Sequence, residues 1–154
     1  MEKIASFKVD HTTLMRGVYV SRKDKIGQET VTTFDIRMTE PNREPAIDPA
    51  VMHTIEHLAA TFIRNDARWK DLLLYWGPMG CCTGFYMIVK GDMEPCDVMD
   101  ILKRTFAFIK DYDGEIPGAT PDSCGNYLFH DLPQAKREAG IYLSYLQLAI
   151  YTVS

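Results

Sequence analysis

The chain has 154 residues, of which 46% are hydrophobic and 25% are charged, which is typical of one folded domain and not of a disordered or fibrous protein. Its 17 basic and 21 acidic residues are interspersed and give a net charge of −4, which argues against a nucleic-acid partner. No apolar run approaches the roughly 20 residues that span a bilayer, and the N-terminus lacks the pattern of a signal peptide. We therefore expect a single domain over residues 1–154, with a cytoplasmic location and no membrane partner.

The first part of the chain predicts three strands. Alternating apolar and polar residues indicate short strands at residues 6–9 and 17–22. The segment 31–38 is rich in β-branched and aromatic residues and predicts a stronger strand. Asp35 and Arg37 share one face of this third strand, which could simply be a solvated face.

A helix is predicted from Asp48 to about residue 65. Asp48 suits the N-cap, and Pro49 suits the first helical position. Apolar residues then recur at the spacing of one helix face, which predicts that this face packs on a core. They are Val51, Met52, Ile55, Leu58, Ala59, Phe62 and Ile63.

The second half of the chain mixes strands and helices. Residues 72–75 and 83–89 are predicted as buried strands, and residues 95–110 as a second helix. The segment 114–126 is a polar loop rich in Pro and Gly, and a third helix begins near Asp131. Because the elements show no regular βαβ rhythm, we predict a single-domain α+β fold with an antiparallel sheet packed against helices.

His53, Glu56 and His57 form the most informative motif, because they read H-x-x-E-H within the first predicted helix. Residues four apart lie on the same helix face, so both imidazoles can bind one metal ion. The motif also matches the inverted zincin signature of some metallopeptidases, in which the Glu is the general base. Taken alone, it is as compatible with two satisfied polar residues on a helix.

A third metal ligand has to come from elsewhere in the chain, and the candidates are Cys124, His11, His130 or an acid. Cys124 has the best context, because it lies at the end of the flexible loop and before a possible short strand. Two His and one Cys suit zinc or ferrous iron and leave an open position for water or substrate. The alternative for a lone cysteine is a small buried hydrophobe.

Cys81 and Cys82 form a second cluster, flanked by Gly80 and Gly84 at a turn into a predicted strand. Small neighbours let a ligand approach the backbone closely, and a thiolate near a divalent cation can carry protons. Adjacent cysteines usually point opposite ways in a strand, so we expect at most one to face the site. The alternative is a tight turn with two inert thiols.

Five segments stand in a fixed order over about residues 6 to 137. They are Ser6-Phe7-x-Val9-Asp10-His11-Thr12; Phe34-Asp35-Ile36-Arg37 with Pro41-Asn42 just after; His53-Thr54-Ile55-Glu56-His57-Leu58; Pro78-Met79-Gly80-Cys81-x-Thr83-Gly84-Phe85-Tyr86; and Cys124-Gly125 with His130 and Leu132. Their order and spacing resemble the S-ribosylhomocysteine lyase family, also called LuxS or autoinducer-2 production protein. Five ordered segments make this resemblance highly specific.

The resemblance implies an α+β, metallohydrolase-like fold and a homodimer with shared active sites at the subunit interface. It implies that His53, His57 and Cys124 bind a divalent metal, natively Fe²⁺, with Zn²⁺ or Co²⁺ as possible substitutes. It also implies that Cys81 and Glu56 are the catalytic acid/base pair.

The resemblance further implies which residues bind the substrate. Ser6, His11 and Arg37 would reach into the partner's site and hold the ribosyl hydroxyls. Arg64, seven residues after the metal-binding motif, would help to hold the homocysteine end. Tyr75 stands where many members carry an Asp that would hold the substrate amino group.

The implied reaction cleaves S-ribosylhomocysteine to homocysteine and 4,5-dihydroxy-2,3-pentanedione, the autoinducer-2 precursor, which links the family to quorum sensing and methionine metabolism. A thiolate at Cys81 would relay protons between neighbouring carbons and so move the carbonyl from C1 to C3. Glu56 would then abstract the last proton and expel the homocysteine thiolate by β-elimination. Cys82 stands where the family usually has Arg or Gln.

Two other functions are compatible with the residues alone. A metallopeptidase of the H-x-x-E-H type would use Glu56 to polarise water and would not need Cys81. A metal-stabilised structural domain would have a closed site, with Cys81 or Cys82 as fourth ligand. The resemblance favours the lyase over both.

Overall fold

The computed structural model describes residues 1–149, which form one sheet and three α-helices. In chain order the elements are β1 (Gly17–Ile26), β2 (Glu29–Arg37), α1 (Pro49–Arg64), β3 (Leu73–Pro78), β4 (Gly84–Lys90), α2 (Pro95–Lys110) and α3 (Leu132–Ala149). Two short 3-10 helices occur at Ala5–Phe7 and Trp69–Asp71. This arrangement confirms the predicted α+β fold. None of the helices described is both long and apolar enough to cross a membrane.

The four strands lie in the order β1-β2-β4-β3, and every neighbouring pair is antiparallel. Phe34 on β2 lies opposite Val20 on β1 and Met87 on β4. Successive side chains of a strand point to opposite faces of the sheet. Phe34 therefore enters the core, whereas its neighbour Asp35 and also Arg37 belong to the opposite face.

The helices pack on one face of the sheet. α1 contacts β3, while α2 and α3 contact β1 and each other. The core between the two layers includes Trp76 stacked on Phe85, and Phe106 against Tyr142. Each large apolar side chain removed from water contributes roughly 2–3 kcal/mol. Among the residues described, no α-helix covers the other face of the sheet, and we call that side the uncovered face.

The helices begin where the sequence supplies caps. The Asp48 carboxylate accepts a hydrogen bond from the Ala50 N–H at 3.0 Å and caps α1. Glu94 and Asp97 form a capping box at the start of α2, whose bounds match the predicted helix over 95–110. These acceptors pair N–H groups that a helix start otherwise leaves without a partner.

Three local predictions are wrong. Residues 6–9 are not a strand, because Ala5–Phe7 turns as a 3-10 helix and lies against the sheet, where no strand pairs with it. No strand follows Asn126, because the backbone hydrogen bonds there close within turns. Strand β3 is not fully buried: Leu74 and Tyr75 are each 50% exposed, since β3 is an edge strand.

Candidate metal centre and active site

Helix α1 presents His53 and His57 one turn apart, with perpendicular rings and 4.6 Å between their centroids. Each ring donates its Nδ1–H to a backbone carbonyl, His53 to Phe129 at 2.7 Å and His57 to Pro117 at 2.8 Å. Glu56 is half-buried on the same helix. The carbonyl bonds fix the ring orientation and tautomer, so both Nε2 lone pairs are available to a metal ion.

Cys124 supplies a third donor. Its Sγ is 3.4 Å from His53 Nε2. A sulfur and a nitrogen that share a tetrahedral ion, at bond lengths of about 2.3 and 2.0 Å, lie about 3.5 Å apart. The Asn126 N–H also points at the sulfur from 3.4 Å. His53, His57 and Cys124 therefore have the donor types and the spacing for a divalent ion such as Zn²⁺ or Fe²⁺.

His130 lies beside these donors. The ligand atoms of His53, His57, Cys124 and His130 all lie within 4.8 Å of one another, and we call these four residues the metal-ligand group. The His130 ring stacks on the His53 ring with 4.1 Å between centroids, and its Nδ1 is 3.0 Å from the Thr54 hydroxyl. Burial and the charges of the two neighbouring histidines lower the pKa of His130 to about 4, so its ring is neutral at pH 7.

The loop between α2 and α3, residues 111–131, holds the metal-ligand group against α1. It contributes Cys124, His130 and both carbonyls that orient the α1 histidines. Gly118 in this loop packs on His57, because a Cβ at this position would lie 3.3 Å from His57 Nδ1. Its φ of +72° also favours glycine. A glycine therefore lets the loop approach close enough to bond the ring.

A second cluster lies on the uncovered face, and we call Asp35, Arg37, Cys81 and Thr83 the sheet-face group. Arg37 is 2% exposed and forms a bidentate ion pair with Asp35, at 2.5 and 3.0 Å. Arg37 Nη1 donates to Thr83 Oγ1 at 2.7 Å and lies 3.9 Å from Cys81 Sγ. Thr83 Oγ1 is also 3.0 Å from Cys81 Sγ. Since this hydroxyl accepts from the guanidinium, its hydrogen is available to the sulfur.

The alternative that Asp35 and Arg37 form a solvated face is wrong, because both side chains are buried. Burial raises the pKa of Asp35, while the hydrogen bonds and charge of Arg37 and the charge of His11 act in the opposite direction. A buried carboxylate and guanidinium are tolerated only when each satisfies the other, as the bidentate contact does here. The sequence pattern of opposite charges on one strand face is the same for a solvated and a buried pair, so the burial of Asp35 and Arg37 could not be predicted from it.

The N-terminal segment lies on the same side of the molecule as the sheet-face group. Ser6 and Tyr75 line a cleft of about 400 Å³, together with Tyr86, which is opposite Asp35 in the strand register. His11, one of the candidate third ligands, is near enough to Asp35 to influence its pKa. The structure therefore places three predicted substrate-binding residues, Ser6, His11 and Arg37, on one face.

Arg64 and Cys82 make other contacts. The Arg64 guanidinium donates to the carbonyls of Leu73 and Leu74 at 3.3 and 3.2 Å and so ties α1 to β3. Cys82 occupies the left-handed region, with φ of 59°, and burial raises the pKa of its thiol. Of the two adjacent cysteines, Cys81 is the exposed one and belongs to the sheet-face group.

The two groups are separate within one chain. Over residues 1–149, no hydrogen bond or ion pair joins a member of the metal-ligand group to a member of the sheet-face group. Glu56 accompanies the first group through α1, whereas Cys81 belongs to the second. Within one chain, the two predicted acid/base residues therefore lie apart: Glu56 is beside the metal-ligand group, and Cys81 is in the sheet-face group.

Two functional contacts were missed from the sequence, those of Thr54 and Thr83. Both threonines are buried, and their hydroxyls contact His130 and Cys81 respectively. Each lies inside a segment that carried the family resemblance, which was the available signal. Threonine occurs on either face of helices and strands, so its burial and its partner depend on the tertiary fold.

The fold and these two groups define a metal-binding protein of the α+β class, with an exposed free thiol outside the metal-ligand group. In comparison with known protein families, the model of the S-ribosylhomocysteinase (LuxS) family matches residues 4–150. The chain belongs to this family, which confirms the resemblance inferred from the motifs.

Individual relatives are similar over nearly their whole length. The chain is 59% identical over 143 residues to the S-ribosylhomocysteine lyase of Phocaeicola vulgatus, which covers 93% of this chain and 89% of the relative. It is 57% identical over 143 residues to that of Porphyromonas gingivalis, covering 93% and 90%. It is 49% identical over 146 residues to that of Borreliella burgdorferi, covering 95% and 93%.

Proposed function

We propose that this protein is an S-ribosylhomocysteine lyase, a carbon–sulfur lyase that releases homocysteine and 4,5-dihydroxy-2,3-pentanedione. The observation that carries the proposal is the convergence of His53, His57 and Cys124 on one ion site, in a chain that also holds Cys81 beside a buried guanidinium. The names of the relatives support the substrate. We further propose that residues 1–154 are one domain, whose last five residues lie outside the described part.

Fe²⁺ is the proposed native ion, with Zn²⁺ or Co²⁺ as substitutes, held by His53, His57 and Cys124. Two imidazoles and a thiolate suit all three ions. When bound, the ion polarises a sugar carbonyl and makes the protons on the neighbouring carbons more acidic. A free thiol at Cys81 and a thiolate ligand suit the reducing cytoplasm.

Cys81 is the proposed proton carrier for the first part of the reaction. Moving a proton from C2 to C1 shifts the carbonyl from C1 to C2, and a second transfer from C3 to C2 shifts it to C3. The sulfur carries negative charge between these transfers. The Thr83 hydroxyl at 3.0 Å and the Arg37 guanidinium at 3.9 Å stabilise that charge.

Glu56 is the proposed base for the last part of the reaction. With the carbonyl at C3, the carboxylate takes the proton from C4. The electron pair forms a C4–C5 double bond, and the homocysteine thiolate leaves from C5. The resulting enol becomes the pentanedione by proton transfer to C5, so the sequence needs no oxidant or reductant.

Ser6, His11 and Arg37 are proposed to hold the ribosyl hydroxyls, and their common position on the uncovered face supports this role. Arg64 is proposed to hold the homocysteine end; its guanidinium is already placed at the start of β3 by two carbonyl bonds. Tyr75 lines the same cleft as Ser6. The substrate amino group would there meet a phenol in place of the carboxylate that many members of the family carry.

We propose that two copies build each active site together. The uncovered face and the adjoining segments expose large apolar side chains, which is typical of an interface. They are Ile4, Phe7, Val9, Tyr19, Leu74 and Tyr75. Arg37 contacts Cys81 within one chain, so an Arg37 that reaches the site of another copy brings Cys81 with it. Glu56 of one copy would then act with Cys81 of the other.

The two alternative functions have less support. Over residues 1–149 the metal-ligand group contains no carboxylate, the ligand that H-x-x-E-H peptidases usually add. Cys81 and Cys82 lie outside that group, so neither closes it as a fourth ligand.

The test is release of free thiol from S-ribosylhomocysteine by anaerobic, Fe²⁺-loaded protein. We expect Cys81→Ala and Glu56→Gln each to reduce the rate by about a thousandfold, because each removes a proton-transfer group. Both variants should keep about one metal ion per chain, as neither residue is a proposed ligand. No thiol release by the fully loaded parent would refute the lyase, and normal turnover by Cys81→Ala would refute its role as proton carrier.

A further inference from the structure

The orientation of the His130 ring separates it from the three metal donors. The lone pair of an imidazole lies in the plane of its ring, so an ion held by His53 Nε2 would lie near the His53 plane. The His130 ring is stacked on His53, with 16° between planes and 4.1 Å between centroids. An ion so held would not lie in the His130 plane, and the His130 lone pair would point past it. The His57 ring is perpendicular to His53 and has no such conflict.

The free nitrogen of His130 nevertheless requires a partner. Its Nε2 is buried and has no hydrogen-bond partner in the part of the chain that the structure describes. A buried polar atom that is left unpaired destabilises the fold, so such atoms commonly mark the place of a ligand or ordered water. The same ring is firmly held at its other side, where Nδ1 is 3.0 Å from Thr54 Oγ1.

The Thr54 hydroxyl can support either tautomer of this ring. It accepts the Asp131 N–H at 3.0 Å and lies 3.1 Å from the Ala50 carbonyl. If its hydrogen goes to Ala50, it accepts from His130 Nδ1–H, and Nε2 offers a lone pair. If its hydrogen goes to His130 Nδ1, then Nε2 carries the proton and is a donor. His130 can therefore meet either a carbonyl or a hydroxyl oxygen.

We propose that His130 is a substrate-contacting residue and not a metal ligand. Its Nε2 forms a hydrogen bond with an oxygen atom of the molecule that enters the position left open by His53, His57 and Cys124. Thr54 is the positioning residue that holds the ring. The inference rests on the metal centre of the proposed function and not on the identity of the substrate; for the proposed substrate, the oxygen belongs to the ribosyl chain.

The test uses the Co²⁺-substituted protein and acetohydroxamate, a small molecule that binds divalent ions through two oxygens. His130→Asn keeps a polar atom near the Nδ1 position, whereas His130→Gln keeps one near the Nε2 position. Without acetohydroxamate, both variants should bind one Co²⁺ per chain and show the parent's sulfur-to-cobalt charge-transfer band from Cys124. Acetohydroxamate should bind His130→Asn about tenfold more weakly than the parent, and His130→Gln within about threefold, since one hydrogen bond is lost only in the first.

Three results would overturn the proposal. Loss of cobalt or a changed charge-transfer band in His130→Asn would show that His130 is a metal ligand. Equal acetohydroxamate affinity in His130→Asn and the parent would show that His130 forms no hydrogen bond with the bound molecule. Absence of binding by the parent would mean that the three donors leave no open position. Thiol release from S-ribosylhomocysteine by the iron-loaded parent reports separately on the proposed function, so the two failures are distinguishable.

Discussion

The hydroxyl of Thr83 lies between a guanidinium and a thiol, where one small side chain determines the surroundings of Cys81. It accepts from Arg37 at 2.7 Å and is 3.0 Å from Cys81 Sγ. Thr83→Val keeps the shape but removes both contacts and leaves a buried donor of Arg37 unpaired. We expect kcat for thiol release to fall by about ten- to a hundredfold, with metal content unchanged.

Thr83→Ser is the matched control, because it keeps the hydroxyl and loses only a methyl group. It should retain kcat within about threefold of the parent. Steady-state thiol release and metal analysis of both variants give the comparison. Parent-like kcat in Thr83→Val would show that the hydroxyl does not act on the thiol.

Glu44 shows how a single carboxylate holds the N-terminal segment. It accepts hydrogen bonds from the Arg16 guanidinium and from the Glu40 N–H, at 3.1 and 2.7 Å for its Oε1. The Arg16 hydrogen bond holds the pKa of Glu44 below its usual 4.5. A lowered pKa means that the charged form stabilises the fold above pH 4.5, and that this contribution is lost as pH falls through the folded value.

Glu44→Gln should therefore lower the free energy of unfolding by about 1 kcal/mol at pH 7. The difference from the parent should shrink as pH falls below 4.5 through the folded pKa of Glu44, because protonation leaves both side chains uncharged. Urea unfolding at pH 7 and at a series of lower pH values measures this. Glu29→Gln makes the same chemical change at an exposed position and should alter stability little; an equal loss at both sites would contradict the specific role of Glu44.

At the residue scale, the sequence was most informative where spacing along one element defines the chemistry. His53 and His57 are four residues apart on a helix, so their convergence follows from helix geometry alone. The partnership of Thr83 with Cys81, and the stacking of His130 on His53, bring together residues whose contacts depend on tertiary packing. No local pattern distinguishes such residues from ordinary core threonines and histidines.

At the scale of elements, the loop 111–131 acts as a clasp over α1, and Gly118 packs closely on His57. A Cβ at Gly118 would press on His57 Nδ1 at 3.3 Å and displace the Pro117 carbonyl that orients this ring. Gly118→Ala should therefore weaken metal binding about tenfold or more, because a ligand's supporting hydrogen bond is disturbed. Competition for Zn²⁺ with a chelator of known affinity measures the change.

Gly114→Ala provides the control in the same loop. Gly114 also has a positive φ, of +118°, but a Cβ there meets nothing within 4 Å. Both variants carry backbone strain, and only Gly118→Ala touches a metal ligand. Equal metal affinities in the two variants would show that the close packing of Gly118 on His57 does not affect metal binding.

Secondary structure could be predicted from the sequence where a segment carries strong local signals. Helices α1 and α2 carry caps and long apolar stripes, and their predicted bounds agree with the structure to about one residue. The segment 6–9 alternates over only four residues, and a strand exists only where a partner pairs with it. The sequence pattern could not show that this segment lies on the sheet and not within it.

At the scale of the whole molecule, the separation of Glu56 from Cys81 predicts which variants can rescue each other. In a heterodimer of Glu56→Gln with Cys81→Ala, one composite site carries both defects and the other carries none. A random mixture of the two variants should therefore recover up to about a quarter of the parent activity, because about half of the dimers are mixed and each has one intact site of two. Thiol release before and after subunit exchange gives the measurement.

Arg37→Lys mixed with Cys81→Ala is the control pair. Lysine keeps the charge but loses the bidentate contact with Asp35. In each shared active site, Arg37 and Cys81 come from the same copy. Every site of this heterodimer therefore carries one defect, and no activity should return. Rescue by this pair, or none by the first pair in verified heterodimers, would contradict the shared site.

The clasp over α1 is built almost entirely outside the hydrophobic core. Among the described residues, the core contains none from the segment 113–131. Closing a loop of about 20 residues costs roughly 3 kcal/mol of chain entropy, which a bound ion can offset locally. We therefore expect folding and metal loading to be separable steps of maturation, in which a folded apoprotein forms first and the metal supply then determines how much of it becomes active enzyme.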